Sequence, residues 1–175
     1  MKAPIMIART ALVDRLIELA SVIADTDDET YLSARADGVS GSIGAHVRHA
    51  IDHVAALVEA PIPGVADYDS RRRGTDVERS RPIGLLELER LARRVKWLPA
   101  SSLAAAVELS AIVDGTGRRV SAQSTVAREL VFVLSHTIHH QAIIALLLAS
   151  AGQSTPERFG LAASTPGRLS CAQSA

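Results

Sequence analysis

All six histidines of the chain fall in two short windows, His46, His49 and His53 in one and His136, His139 and His140 in the other. Neutral imidazole is a ligand for Zn, Ni, Cu or Fe(II), and it titrates close to physiological pH. On a helix at 100° per residue the first three project at about 0°, 300° and 340°, one common stripe; the second three project at about 0°, 300° and 40°. His49 with His53, and His136 with His140, are i,i+4 pairs whose rings can converge on one ion, as in metal sites built between facing helices. A single histidine on such a face is ordinarily core packing. Six of six in two helical windows point instead to a metal site. His139 turns about 100° away from His140, so His136 and His140 are the natural pair, whereas spacing leaves His46, His49 and His53 all open. Three imidazole ligands would leave a position for water or substrate, which marks a catalytic rather than a structural site. The run His136-Thr137-Ile138-His139-His140 has no glutamate after its first histidine. The general base of an HExxH protease is therefore missing, and a zincin mechanism is excluded.

Such a site needs a polar group beside its open position, and Asp52, Tyr68, Arg71, Arg73 and Glu78 are the candidates. Arg71 and Arg73 could grip an anionic cosubstrate through guanidinium forks, or could pair with Asp67, Asp69, Asp76 and Glu78 in a solvated connector. Glu129 either borders the site or simply favours a helix N-terminus. The single cysteine, Cys171, excludes an intramolecular disulfide and a thiolate zinc cluster. With 19 Lys+Arg against 19 Asp+Glu there is no basic excess to neutralise phosphates, and 3% aromatic residues offer no stacking platform for bases. A nucleic-acid partner is excluded on both grounds.

The elements that must position these side chains are helical. Leu12, Leu16, Leu19 and Ile23 recur at helical spacing and predict a helix over 5–24. Residues 25–41 read as a loop with one helical turn at most. Ser42 caps a second helix that runs to Ala60, where Pro61 and Pro63 end it. A charged connector follows, and Thr75 with Glu78 matches a capping box that opens a third helix, kinked or restarted at Pro82 and closed by Pro99. Alternation through Val107, Leu109, Ala111 and Val113, then Asp114-Gly115-Thr116-Gly117, predicts a β-hairpin. The last helix starts near Ser124, with Gly152 just past its end. The fold class is thus all-α, a four-helix bundle with a small β-hairpin between the third and fourth helices.

The length of 175 residues suits one domain, read as 1–155 with a tail over 156–175, and 47% hydrophobic residues supply a core. Trp97 is expected in that core or at a dimer contact. Arg9, Asp14 and Arg15 interrupt the apolar N-terminus before it reaches signal-peptide length. The longest uninterrupted apolar run, Ala142 to Ala149, is far short of the roughly 20 residues that span a bilayer. These features predict a soluble, cytoplasmic protein with no membrane association.

The stretches SIGAHVRHAIDHV (42–54) and RELVFVLSHTIHHQAIIALLLASAG (128–152) resemble the DinB/YfiT superfamily of bacterial metal-binding four-helix bundles. The connector YDSRRRGTDVE (68–78) is similar to that of one branch of the superfamily, and PERFGLAAST (156–165) weakly resembles its C-terminal end. The resemblance implies a divalent metal, nickel or zinc, held by one histidine of the second helix and two of the last. Carried onto this chain, those ligands are His49, His136 and His140, with His46 and His53 in the surrounding pocket and His139 directed elsewhere. It further implies a homodimer, and an enzyme of the thiol S-transferase kind acting on a small-molecule thiol and an electrophile, or activating water. The alternative function is a non-catalytic metal-binding or stress-related bundle protein.

Overall fold

Apolar periodicity in the first helix translates directly into burial: α1 (Ala3–Ala24) turns Leu12, Leu16, Leu19 and Ile23 inward, and none of the four retains exposed surface. The computed structural model describes residues 3–33, 38–60, 64–70 and 74–165, with side chains from residue 6 onward. Arg71 and Arg73, Pro61 and Pro63, and Cys171 lie outside the described residues. The single turn expected after α1 is α2 (Asp28–Leu32), capped by Asp27, whose carboxylate accepts from the Thr30 amide at 2.7 Å.

Ser42 caps α3 (Ile43–Val58) as expected, its Oγ accepting from the Ala45 amide at 3.1 Å. Val47, Ala50, Val54 and Leu57 form the buried stripe of α3. Gly44 sits where three segments meet. A Cβ there would lie 2.3 Å from the Glu78 carbonyl oxygen and 2.7 Å from the Tyr31 ring, so only glycine allows this approach. Tyr31 is fully buried and donates its hydroxyl to the Val77 carbonyl at 2.7 Å, tying α2 to the segment after the connector.

The connector holds more structure than its composition suggests. Val65–Asp67 form strand β1. The predicted capping box then fails. Thr75 has the backbone of a cap, but its hydroxyl makes no capping bond, and Glu78 instead accepts from Arg48 and from the Gly74 amide. Of the kink or restart expected at Pro82, the restart is found: α4 (Asp76–Arg79) and α5 (Arg81–Lys96) are divided at Ser80, with Pro82 in the first turn of the second. Proline is tolerated there because first-turn amides have no intrahelical partner. After a 3₁₀ turn at Ala100–Ala104, β2 (Ala106–Ile112) and β3 (Arg119–Thr125) form the expected antiparallel hairpin. β1 adds to β2 in parallel, Val65 opposite Glu108 and Asp67 opposite Ser110, giving a three-stranded sheet in the order β1-β2-β3.

The final helix, α6 (Val126–Ser150), is capped by Thr125, one residue beyond the expected start. Gly152 closes it at φ +76°, with the Gln153 amide bonded to the Leu148 carbonyl and the Gly152 amide to that of Ala149. This is the Schellman arrangement. By length and composition α6 could cross a membrane. It is packed against both α1 and α3, and Glu129, Thr137, His140 and Gln141 lie on its buried side. The protein is therefore mostly helical with a small sheet. Its four long helices touch in a ring, α1 on α5 and α6, and α3 on α5 and α6. The stretch expected to trail away after residue 155 instead packs at Phe159 and Gly160, both buried; a Cβ on Gly160 would stand 2.5 Å from the Ala142 backbone. Trp97, expected in a core or at a contact, is 77% exposed.

Candidate metal centre

Packing of α3 on α6 faces the two histidine windows toward each other. One ligating nitrogen each of His49, His136 and His140 all lie within 4.8 Å of one another. The Nε2 atoms of His136 and His140 stand 3.1 Å apart, and the His49 ring centroid is 5.0 Å and 4.6 Å from theirs. Two imidazole nitrogens each about 2.0–2.1 Å from one ion stand roughly 3 Å apart, so the pair has the spacing of ligands that share a metal. Their chemistry also fits, since an all-nitrogen set suits Zn, Ni, Cu or Fe(II) rather than a hard cation. His140 is buried; His49 and His136 are half-buried, so the cluster reaches the surface on one side.

Burial, reinforced by the neighbouring imidazoles of His136, His49, His46 and His139, pushes the pKa of His140 down to about 2. It is therefore neutral, the form that ligates. Burial likewise lowers the pKa of His46, against a hydrogen bond to the Ser40 carbonyl that favours its charged form.

The remaining candidates surround the cluster in distinct ways. His46 bridges outward, its Nδ1 3.1 Å from Nδ1 of His140 and its Nε2 donating to the Ser40 carbonyl at 3.0 Å. His53 is buried, donates Nδ1–H to the His49 carbonyl at 3.0 Å, and stacks on His136 with centroids 3.8 Å apart. His139 is exposed, on the outer side of α6. The Tyr68 ring lies parallel to His53, with 5.1 Å between centroids, but its hydroxyl is turned to Glu129, donating at 2.7 Å. Burial and that carboxylate raise the Tyr68 pKa far above its ordinary value. Tyr68 thus gives the neighbourhood a ring face, while its proton is committed elsewhere.

Asp52 and Glu78 are joined through a residue that the sequence reading did not single out. Arg48, nearly buried, donates to Asp52 at 2.5 Å and to Glu78 at 3.0 Å. Asp52 and Tyr68 also line a cleft of about 430 Å³ between α3 and β1, which none of the three clustered histidines lines. Glu129 is fully buried. Burial works to raise its pKa, but hydrogen bonds from Ser124, Tyr68 and Arg128 outweigh it and hold the carboxylate below the usual range. Phe132, also unpredicted, packs beside His136 at 5.8 Å between centroids, one turn from it on the same face of α6. Its spacing from His136 was the available signal, but nothing separated it from other apolar residues of that helix.

Fold and site together define a class: a predominantly helical protein with a small sheet and three histidines able to hold one metal ion. No protein-family profile matches the chain, and no solved structure matches it. Among curated proteins it is similar to FK506-binding protein 5 of Rhizopus delemar, at 32% identity over 110 residues. The aligned part is 62% of this chain and 29% of that protein, so the chain spans less than a third of its relative. The name describes that protein as a whole.

Proposed function

We propose that the chain is a DinB/YfiT-like four-helix bundle that holds one divalent ion, nickel or zinc, on His49, His136 and His140, and that it acts as a thiol S-transferase-like enzyme. The observation that carries this reading is the convergence of three imidazole nitrogens from two helices within 4.8 Å. The ring of contacts among α1, α3, α5 and α6 supports the bundle assignment. A divalent ion held there would supply Lewis acidity, making a small thiol or water nucleophilic at neutral pH. The chain's own residues do the rest. His49, His136 and His140 bind; His53 and Phe132 cover the His136 ring and keep water from that side. Glu129 fixes Tyr68, and Tyr68 in turn backs His53. Arg48 holds Asp52 and Glu78 at the edge of α3, beside the connector. The homodimeric state that the resemblance implies, and the cytoplasmic location expected from the sequence, belong to the same proposal.

Elemental analysis after nickel or zinc loading tests it. About one ion per chain is expected, with tight binding abolished in His49→Ala, His136→Ala and His140→Ala and retained in His139→Ala. Equal losses across all six histidine variants contradict the ligand assignment. Loaded protein should also accelerate attack of a small thiol on an electrophile. Tight binding without that acceleration favours the non-catalytic alternative.

A further inference from the structure

Both ring nitrogens of His140 are engaged by other histidines. Its Nε2 is 3.1 Å from Nε2 of His136, its Nδ1 is 3.1 Å from Nδ1 of His46, and Nε2 of His46 is 3.0 Å from the Ser40 carbonyl oxygen. A peptide carbonyl can only accept, so the proton of the last contact sits on His46 Nε2. Neutral His46 then carries its lone pair on Nδ1, and its bond with His140 needs the proton on His140 Nδ1. That leaves the lone pair of His140 on Nε2, the nitrogen facing His136. One backbone carbonyl thereby sets the proton positions along the whole chain of contacts.

We infer that His46 is a positioning residue: by accepting from His140 Nδ1–H and donating to the Ser40 carbonyl, it holds His140 in the tautomer and orientation that present Nε2 to the metal cluster. This rests on the ligand set proposed above. Ligating histidines commonly give their second N–H to an acceptor that fixes the ring, and loss of that partner costs about 10–100-fold in metal affinity. Here the acceptor is another imidazole, itself anchored to the main chain. The local backbone serves that anchor. Gly41 at φ +95° separates Ser40 from the helix cap Ser42, a conformation that side chains disfavour, and it carries the Ser40 carbonyl back over the first turn of α3.

Two measurements on the full chain test this. In the metal-free protein, long-range ¹H–¹⁵N correlation of the imidazoles should show His140 protonated at Nδ1, with the preference lost in His46→Ala and kept in His46→Asn, whose side-chain carbonyl can accept the same proton. In zinc titrations against a chromophoric chelator, His46→Ala should bind about 10–100-fold more weakly than the parent while still taking one ion per chain. His46→Asn should recover most of that loss. Gly41→Ala touches no ligand and should weaken binding in the same direction. Unchanged zinc affinity in His46→Ala overturns the inference. So does outright loss of the ion, as in His49→Ala, because His46 would then be a ligand itself. His140 protonated at Nε2 in the parent protein also overturns it. If His46→Ala does not fold, the parent tautomer with the His46→Asn and Gly41→Ala titrations decides. If no protein binds zinc, the ligand set fails, and the tautomer spectra still decide for or against the chain of contacts.

Discussion

Burial and neighbouring histidines hold His46 and His140 toward their neutral forms. For His140 the consequence for stability has a definite sign. In the unfolded chain a histidine takes up its proton at about pH 6.5, whereas folded His140 resists protonation down to about 2. Between those values the unfolded state binds more protons, so His140 contributes stability that is complete above about pH 6.5 and is lost as pH falls below it. Chemical denaturation of the metal-free protein should show a falling midpoint on acidification from that point, and His140→Gln should flatten the profile. Glu129 is the other residue with a single assignable role. Glu129→Ala would strand the Tyr68 hydroxyl and Ser124 without their acceptor, and a loss of about 1–3 kcal/mol is expected in urea unfolding.

At the scale of elements, the ends of α3 fix the phase with which its histidines face α6. Ser42→Ala removes the cap and should cost about 1 kcal/mol. Gly44→Ala is expected to be worse, because the new Cβ meets the Glu78 backbone oxygen rather than a side chain that can move; about 1–3 kcal/mol is expected. Thermal unfolding of the two variants checks both figures. The elements that carry the site were legible in the sequence for local reasons: apolar periodicity in α1 and α6, the Ser42 cap, the alternating hairpin, and Gly152 past the last turn. The features missed depend on distant partners. β1 is three residues long in a charged connector and is a strand only because β2, some forty residues later, pairs with it. Arg48 was not singled out, and its burial goes with ion pairs to Asp52 on its own helix and to Glu78, which returns onto α3 from some thirty residues later. The expected capping box is not formed: Glu78 accepts from Arg48 and from the Gly74 amide, one residue before the cap, and the Thr75 hydroxyl makes no capping bond. For the site itself, spacing alone isolated His136 and His140 and set His139 aside. Choosing His49 among three histidines took the family resemblance; a ligating nitrogen of His49 lies within 4.8 Å of those of His136 and His140.

At the scale of the whole molecule, the three histidines lie between α3 and α6, of which α3 packs on α5 and α6 on α1, so an ion held there would be coupled to folding. An ion present at about a hundred times its dissociation constant adds about 2.7 kcal/mol, or roughly 5–10 °C in Tm for a domain of this size. That rise should vanish in His49→Ala and persist in His139→Ala. Leu91→Ala in the fully buried core should lower stability by about 2–5 kcal/mol without changing the number of ions bound, which separates the core's contribution from that of the site. X-ray absorption spectroscopy of the zinc- or nickel-loaded protein is the most direct test of the central claim, that three histidines share one ion. The account predicts three imidazole nitrogens at about 2.0–2.1 Å and a remaining position filled by a light exchangeable ligand. A protein that takes up no ion, or a shell closed by a fourth histidine, contradicts it.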